Sequence, residues 1–262
     1  MTSQQPVLFI GHGSPMNAIS DNAFTNRLSQ IGQRLQPKAI LCVSAHWLTA
    51  GTWVTSMASP KTIHDFYGFP DELFNVQYPA RGSPEIAEII HQLKLIPQIQ
   101  LDDHSWGLDH GTWAVLRKMF PMANVPVLQL SIDMSLPSQS HFEIGKHLQI
   151  LRDQGVLIIG SGNIVHNLRK VDWSFENKGF DWAIEFDQWI KFKLENRDFQ
   201  PLVDDFLKTE IGRLSIPTLD HYLPLLYILG AVRKQDQLTT EFEGFDLGSI
   251  SMRCFSFNSG YD

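Results

Sequence analysis

The chain has 262 residues, of which 43% are hydrophobic and 19% charged, and a formal net charge of −7 at pH 7. That is enough apolar material for one large core, and the acidic balance leaves no electrostatic footprint for nucleic acid. No basic cluster exceeds a pair such as Arg169-Lys170, and no apolar run is long enough to span a bilayer.

The two cysteines, Cys42 and Cys254, are too few for a disulfide framework or a structural zinc site, and they suit a reducing, cytoplasmic setting. Met1 to Pro6 lacks the basic segment of a secretory signal, so none is expected. No linker, repeat or low-complexity tract interrupts the sequence, which predicts a single domain over residues 1–262.

The elements follow in chain order. Val7-Leu8-Phe9-Ile10 is a short continuous apolar run, as strands buried on both faces read. A helical pattern covers Asp21 to Leu35, and Ile40-Leu41-Cys42-Val43 is a second buried strand. Ser83-Pro84-Glu85 opens a helix, with Ser83 as N-cap, Pro84 in the first turn, and Ile86, Ile89, Ile90 and Leu93 on one face. Val127 to Leu130 is a third strand. A helix from Ser138 to Arg152 follows, with Gly155 placed to end it, and Val156 to Ile159 is a fourth strand.

Toward the C-terminus, Asp181 to Lys193 is aromatic and helical, and His221 to Leu229 is a short apolar helix with Thr218 or Asp220 as its cap. Ile250, Met252 and Cys254 alternate with Ser251 and Arg253, which predicts a half-exposed strand. The phase then changes at Phe255 and Phe257, and a bulge near Cys254 accounts for it. Strand–helix alternation with this tail predicts an α/β fold: a central mixed, mostly parallel sheet flanked by helices on both faces.

Six histidines stand beside turn-forming residues: His12, His46, His64, His110, His166 and His221. His12, His46 and His166 each follow a predicted strand, and ligands of open α/β sheets bind beyond the carboxyl ends of strands. These three therefore face one crevice despite their separation in sequence. Imidazole is the commonest metal ligand and the usual acid/base near neutral pH.

Other chemistries fail on spacing. There is no HExxH and no CxxC, and Gly11-His12-Gly13-Ser14-Pro15 lacks the Gly-Lys-Ser/Thr ending of a phosphate loop. Gly160-Ser161-Gly162-Asn163 lacks the third glycine of a dinucleotide site, and Ser161 is not in a Gly-x-Ser-x-Gly elbow. A histidine metal site remains, suited to iron, zinc, copper or nickel. Asp133, also at a strand end, either orients a histidine, contacts substrate or caps its own loop. Trp47, Trp106, Trp113, Phe66 and Phe69 either line an aromatic pocket or belong to the core. His91 and His147 read as surface residues of helices, and His104 and His141 have no informative context.

Six segments carry a resemblance: Gly11-His12-Gly13-Ser14-Pro15-Met16, Ser44-Ala45-His46-Trp47, Thr62-Ile63-His64-Asp65-Phe66, Asp109-His110-Gly111-Thr112-Trp113, Gly162-Asn163-Ile164-Val165-His166-Asn167-Leu168 and His221-Tyr222-Leu223-Pro224-Leu225. In this order, over nearly the whole chain, they resemble the class III extradiol ring-cleavage dioxygenases of the 4,5-DOPA dioxygenase branch. The resemblance implies a non-haem Fe(II) enzyme that opens a catechol ring with O2. By motif match, His12, His46 and His221 are metal ligands. His166 is a ligand or the base, His110 is a second acid/base, and His64 lies in or near the substrate pocket, where Asp133 is placed by its strand-end position alone. The wider superfamily uses two histidines and a carboxylate. Here the late position is His221, with Glu241 and Glu243 as the nearby carboxylates. An all-histidine set also suits Zn(II), and a zinc hydrolase on the same histidines is the competing function.

Overall fold

The computed structural model describes residues 4–93, 95, 97–175 and 177–259. Eight strands form one sheet: β1 (Val7–Gly11), β2 (Ala39–Thr49), β3 (Trp53–Thr55), β4 (Gln100–Asp102), β5 (Val127–Asp133), β6 (Val156–Gly162), β7 (Gln237–Phe242) and β8 (Cys254–Asn258). Their order across the sheet is β4-β3-β5-β2-β6-β1-β8-β7. The central four, β5-β2-β6-β1, are parallel, while β8 runs antiparallel to both β1 and β7. The four apolar runs of the sequence are these central strands. Every residue of β1, β5 and β6 is buried, which is why they lack a polar face.

Six longer helices cover the sheet: α1 (Ala23–Gln33), α2 (Pro84–His91), α3 (His110–Met119), α4 (Ser138–Leu148), α5 (Asp181–Glu195) and α6 (Leu223–Ala231). Alternation along each strand splits the core in two. Val7, Phe9, Leu41 and Val43 pack with Ile144 of α4, Ile190 of α5 and Leu226 of α6, while Leu8, Ile10, Ile40 and Cys42 pack with Leu28 of α1 and Trp113 of α3. The predicted α/β fold, a mixed sheet with helices on both faces, is the one observed. Among the described residues no helix is long and apolar enough to cross a membrane.

The local signals act as read. Ser83 accepts from the Ile86 N–H at 3.4 Å with Pro84 in the first turn. After α4, a 3-10 segment (Gln149–Gln154) carries the chain to Gly155, which takes the left-handed conformation (φ 85°) that ends it. Two expectations at the C-terminal end need correction. The apolar helix starts at Leu223, two residues later than its pattern suggests, and has no side-chain cap, because Asp220 turns instead to the His221 ring. The last strand is interior rather than half-exposed: β7 covers its outer edge, and Cys254, Phe255 and Phe257 are all buried. The expected irregularity is present, as a register shift between Cys254 and Phe255.

Candidate metal centre

His12 is the first residue beyond β1, and its N–H donates to Gly162 O at the end of β6 (3.1 Å). His46 lies inside β2, not after it: the pairing with β5 shifts register between Val43 and Leu48, and His46 sits in that bulge. His221 precedes α6, and its carbonyl accepts from the Asn163 N–H at 2.9 Å. A Cβ on Gly162 would stand 2.2 Å from that oxygen, so only glycine lets this segment close on β6. His110 opens α3, where Asp109 is the N-cap and accepts from the Thr112 N–H. His166 lies on the loop after β6, its N–H on Ser215 O (2.9 Å).

These segments bring five imidazoles into one cluster. Ring centroids of His12, His46 and His221 are 5.1, 5.1 and 5.3 Å apart, taken pairwise. His110 lies closer to His46, at 3.9 Å, and His166 stacks on His221 at 3.5 Å with planes 7° apart. Ring nitrogens of His12, His46 and His110 also fall within 4.8 Å of one another.

Hydrogen bonds define which nitrogens carry protons. The Ser161 hydroxyl donates to Gly111 O at 2.5 Å, so its oxygen accepts from His12 Nδ1 (2.9 Å). Asp65 Oδ2 faces His46 Nδ1 (3.3 Å) and His110 Nδ1 (2.9 Å), and Asp65 Oδ1 accepts from the His110 N–H (2.9 Å). The Asp220 carboxylate takes His221 Nδ1. His12, His110 and His221 therefore hold their protons on Nδ1 and have a lone pair on Nε2, and the Asp65 carboxylate, an electrostatic contact 3.3 Å from His46 Nδ1, favours the same form there. The His12 and His46 Nε2 atoms stand 3.2 Å apart. Two lone pairs at that distance repel unless a cation lies between them.

No proton is available to fill that gap at neutral pH. Burial, and then the charges of His46 and His221, hold His12 well below 6.5. Burial and the nearby His110 push His46 down to about 3, against the opposing pull of Asp65. Burial, with His166 beside it, holds His221 well below its ordinary value. Burial opposes ionisation of Asp65, but its hydrogen bonds from His110 outweigh that and hold it below 3.8. Neutral imidazoles oriented by carboxylates or hydroxyls on their second nitrogen are the form in which histidine binds metals. The cluster is a candidate metal-binding site.

A family profile described as "Catalytic LigB subunit of aromatic ring-opening dioxygenase" matches residues 6–250. The chain belongs to that family. It is 48% identical over 255 residues to the 4,5-DOPA dioxygenase extradiol of Escherichia coli (strain K12), covering 96% of this chain and 94% of that one. It is 34% identical over 257 residues to the 4,5-DOPA dioxygenase extradiol of Beta vulgaris, covering 96% of each. The crystal structure of uncharacterized protein JW3007 from Escherichia coli K12 superposes with a TM-score of 0.84 at 43% identity, covering 97% of this chain and all of that one. As a member of the family this chain is an oxidoreductase, a ring-opening dioxygenase.

The remaining sequence candidates take other places. His64 Nε2 is bonded to Val76 O (2.9 Å), and its ring lies among Phe66, Phe74 and Trp113. Asp133 caps its own loop, accepting from the Gly51 N–H (3.1 Å) and the Ser135 N–H (3.0 Å). Glu241 pairs with Arg27 and Arg34, and Glu243 with Arg253 and Lys191, so neither supplies a carboxylate to the histidines. Trp113 is core, while Trp47 and Trp106 stack on each other at 5.7 Å. Sequence reasoning missed Asp65, Ser161 and Asp220 as partners of the clustered rings. Asp65 and Asp220 were each visible beside a motif histidine.

Proposed function

We propose that the chain is an Fe(II)-dependent extradiol dioxygenase that opens the ring of a DOPA-like catechol, with His12, His46 and His221 holding the metal. The opposed His12 and His46 lone pairs carry this reading. Nitrogens bound to one tetrahedral metal at about 2.0–2.1 Å lie about 3.3 Å apart, and imidazole centroids about 5.2 Å apart. The pair at 3.2 Å and the trio at 5.1–5.3 Å fit those values. His110 does not fit as a ligand beside His46: even a right-angled pair needs about 4.5 Å between centroids, and theirs is 3.9 Å. His166 and His221 are nearly coplanar in orientation, 3.5 Å apart, so one metal cannot lie in both ring planes. His221, oriented by Asp220, is the better ligand of the two.

When bound, the metal supplies Lewis acidity toward a catechol hydroxyl and electron transfer toward O2. The flanking imidazoles move protons. Burial pushes His166 down to about 4, so it is a neutral base at pH 7, ready to take a hydroxyl proton of the substrate. His110 keeps Nδ1 on Asp65, so its Nε2 must first take up a proton released by the substrate's other hydroxyl, as an imidazolium balanced by the Asp65 carboxylate, before passing that proton to oxygen as the ring opens. The two rings are kept apart by their neighbours, one stacked on His221 and one tilted against His46, so they need not share a protonation state. His64 and Asp133, by their bonds, support the loops around the crevice. The relatives named as 4,5-DOPA dioxygenases motivate the catechol class. The all-histidine donor set also accepts Zn(II), which has no redox chemistry.

The test is anaerobic reconstitution of metal-free protein with Fe(II) or Zn(II), then O2 uptake on adding DOPA or simpler catechols. Uptake with iron alone and a yellow ring-opened product is expected. Bound iron with no uptake on any catechol, or a hydrolytic activity supported by zinc, overturns the proposal.

A further inference from the structure

The motif Thr62-Ile63-His64-Asp65-Phe66 draws the eye to its histidine, but the residue that reaches the cluster is Asp65. The His64 ring is tied off on Val76 O, and Trp113 Nε1 donates to Ile63 O at 2.8 Å. These two anchors fix the backbone on both sides of the step from Ile63 to Asp65. Asp65 accepts two hydrogen bonds from His110, Oδ1 from its N–H and Oδ2 from its Nδ1, and the same Oδ2 stands 3.3 Å from His46 Nδ1 as an ion-pair contact. One oxygen atom therefore faces a ring proposed to bind metal and a ring proposed to move a proton.

We propose that Asp65 is a positioning residue that sets the tautomer and orientation of His46 and His110 together. This rests on the reading of His46 as a ligand and His110 as an acid/base. A carboxylate can do this because it is acceptor-only, so both imidazoles must place their protons on Nδ1 and present Nε2 to the site. An amide cannot. If its oxygen takes the Oδ2 position, its NH2 opposes the His110 N–H; if its NH2 takes that position, it opposes both Nδ1 protons. An outer carboxylate of this kind is worth about 10–100-fold in metal affinity.

The competing role is purely structural, a brace for the first turn of α3. Ring nitrogen NMR of the wild-type protein, metal-free and loaded with Zn(II), separates the two without any variant. Protons on Nδ1 of both His46 and His110 are expected, and an Nε2–H tautomer in either ring overturns the proposal. Asp65→Asn should lower Zn(II) affinity by about 10–100-fold and lose the paired Nδ1–H signals. It should also lower kcat at saturating metal, with little change in KM for the catechol. In Asp65→Ala, added formate should restore part of the zinc affinity. Wild-type zinc affinity and intact Nδ1–H signals in Asp65→Asn refute the assignment. Failure of the wild-type protein to bind zinc or iron would instead refute the metal reading, while the metal-free spectra still decide the role of Asp65.

Discussion

Gly111→Ala is the substitution on which helix propensity and site packing disagree most. Gly111 is the second residue of α3, where alanine in place of glycine favours a helix by about 1 kcal/mol. A Cβ there, however, would stand 2.6 Å from Ser44 Oγ, 2.9 Å from His46 Cδ2 and 3.3 Å from Asp109 Oδ1. None of these is free to yield. Ser44 Oγ donates to Asp109 Oδ1 at 2.7 Å, His46 is held between His12 and Asp65, and Asp109 is buried under Gln129. Overpacking costs about 1–3 kcal/mol, and losing the buried hydrogen bond to Asp109 costs about 1.5–3 kcal/mol more. The net expectation is a loss of about 1.5–5 kcal/mol. Urea unfolding of the metal-free protein reads the stability, and zinc titration reads the displaced His46 ring. Ser44→Ala in the same chain removes the nearest atom and should recover part of both. If Gly111→Ala alone is about 1 kcal/mol more stable than wild type and binds zinc equally well, the packing argument is wrong.

Three further outcomes are expected. His46→Ala should abolish stoichiometric metal binding, whereas His110→Ala and His166→Ala should retain metal and lose about 10²–10⁴-fold in turnover; metal analysis and steady-state kinetics decide, and equal metal content in wild type and His46→Ala refutes the ligand assignment. Arg152→Met should destabilise by about 3–5 kcal/mol, because it leaves the fully buried Asp236 carboxylate without its partner; a change under 1 kcal/mol by urea unfolding contradicts this. His141 is pushed down to about 4 by burial, against smaller upward contributions from Leu136 and Asp133, so between pH 6.5 and 4 the unfolded chain binds its proton and the folded one does not. Stability therefore falls as pH falls through that window, and His141→Gln should reduce the loss between pH 7 and pH 5 by about 2 kcal/mol.

The central strands were legible because burial on both faces leaves a continuous apolar run, and β1, β5 and β6 are buried at every residue. The ends of the chain were less so. The alternation from Ile250 to Cys254 has the period of a half-exposed strand, but it belongs to two short segments. Ile250–Ser251 pairs with Phe245–Asp246, and the strand of the main sheet begins only at Cys254. Local period reports which way side chains point, not whether another strand pairs along the outer edge. β7, which does cover it, is polar enough along Gln237 to Glu241 to pass for a loop. Similarly, Asp220 has the composition of an N-cap, but a neighbouring imidazole competes for its carboxylate, and the helix starts uncapped.

The cluster could be found from sequence because His12, His46 and His166 come at the carboxyl-end side of β1, β2 and β6, which topology brings side by side. The division of labour among its histidines could not. It depends on how rings face one another. The sequence carries no trace of the 3.9 Å between His46 and His110, the parallel stack of His166 on His221, or the oxygen of Asp65 shared by two rings. Those contacts depend on the bulge in β2 that holds His46 and on the close approach of the His221 segment at Gly162, neither of which is written in a motif. A motif scan therefore ranks His64 with the other five, and only the fold shows that its ring is spent on Val76 O while the neighbouring Asp65 enters the cluster. Exchanging the two roles is a direct check on this. His64→Gln, which can keep a bond to Val76 O, should leave metal affinity within about twofold of wild type, where Asp65→Asn loses about 10–100-fold. Equal losses in the two would mean that the loop acts as a unit and that His64 was rightly read as part of the pocket.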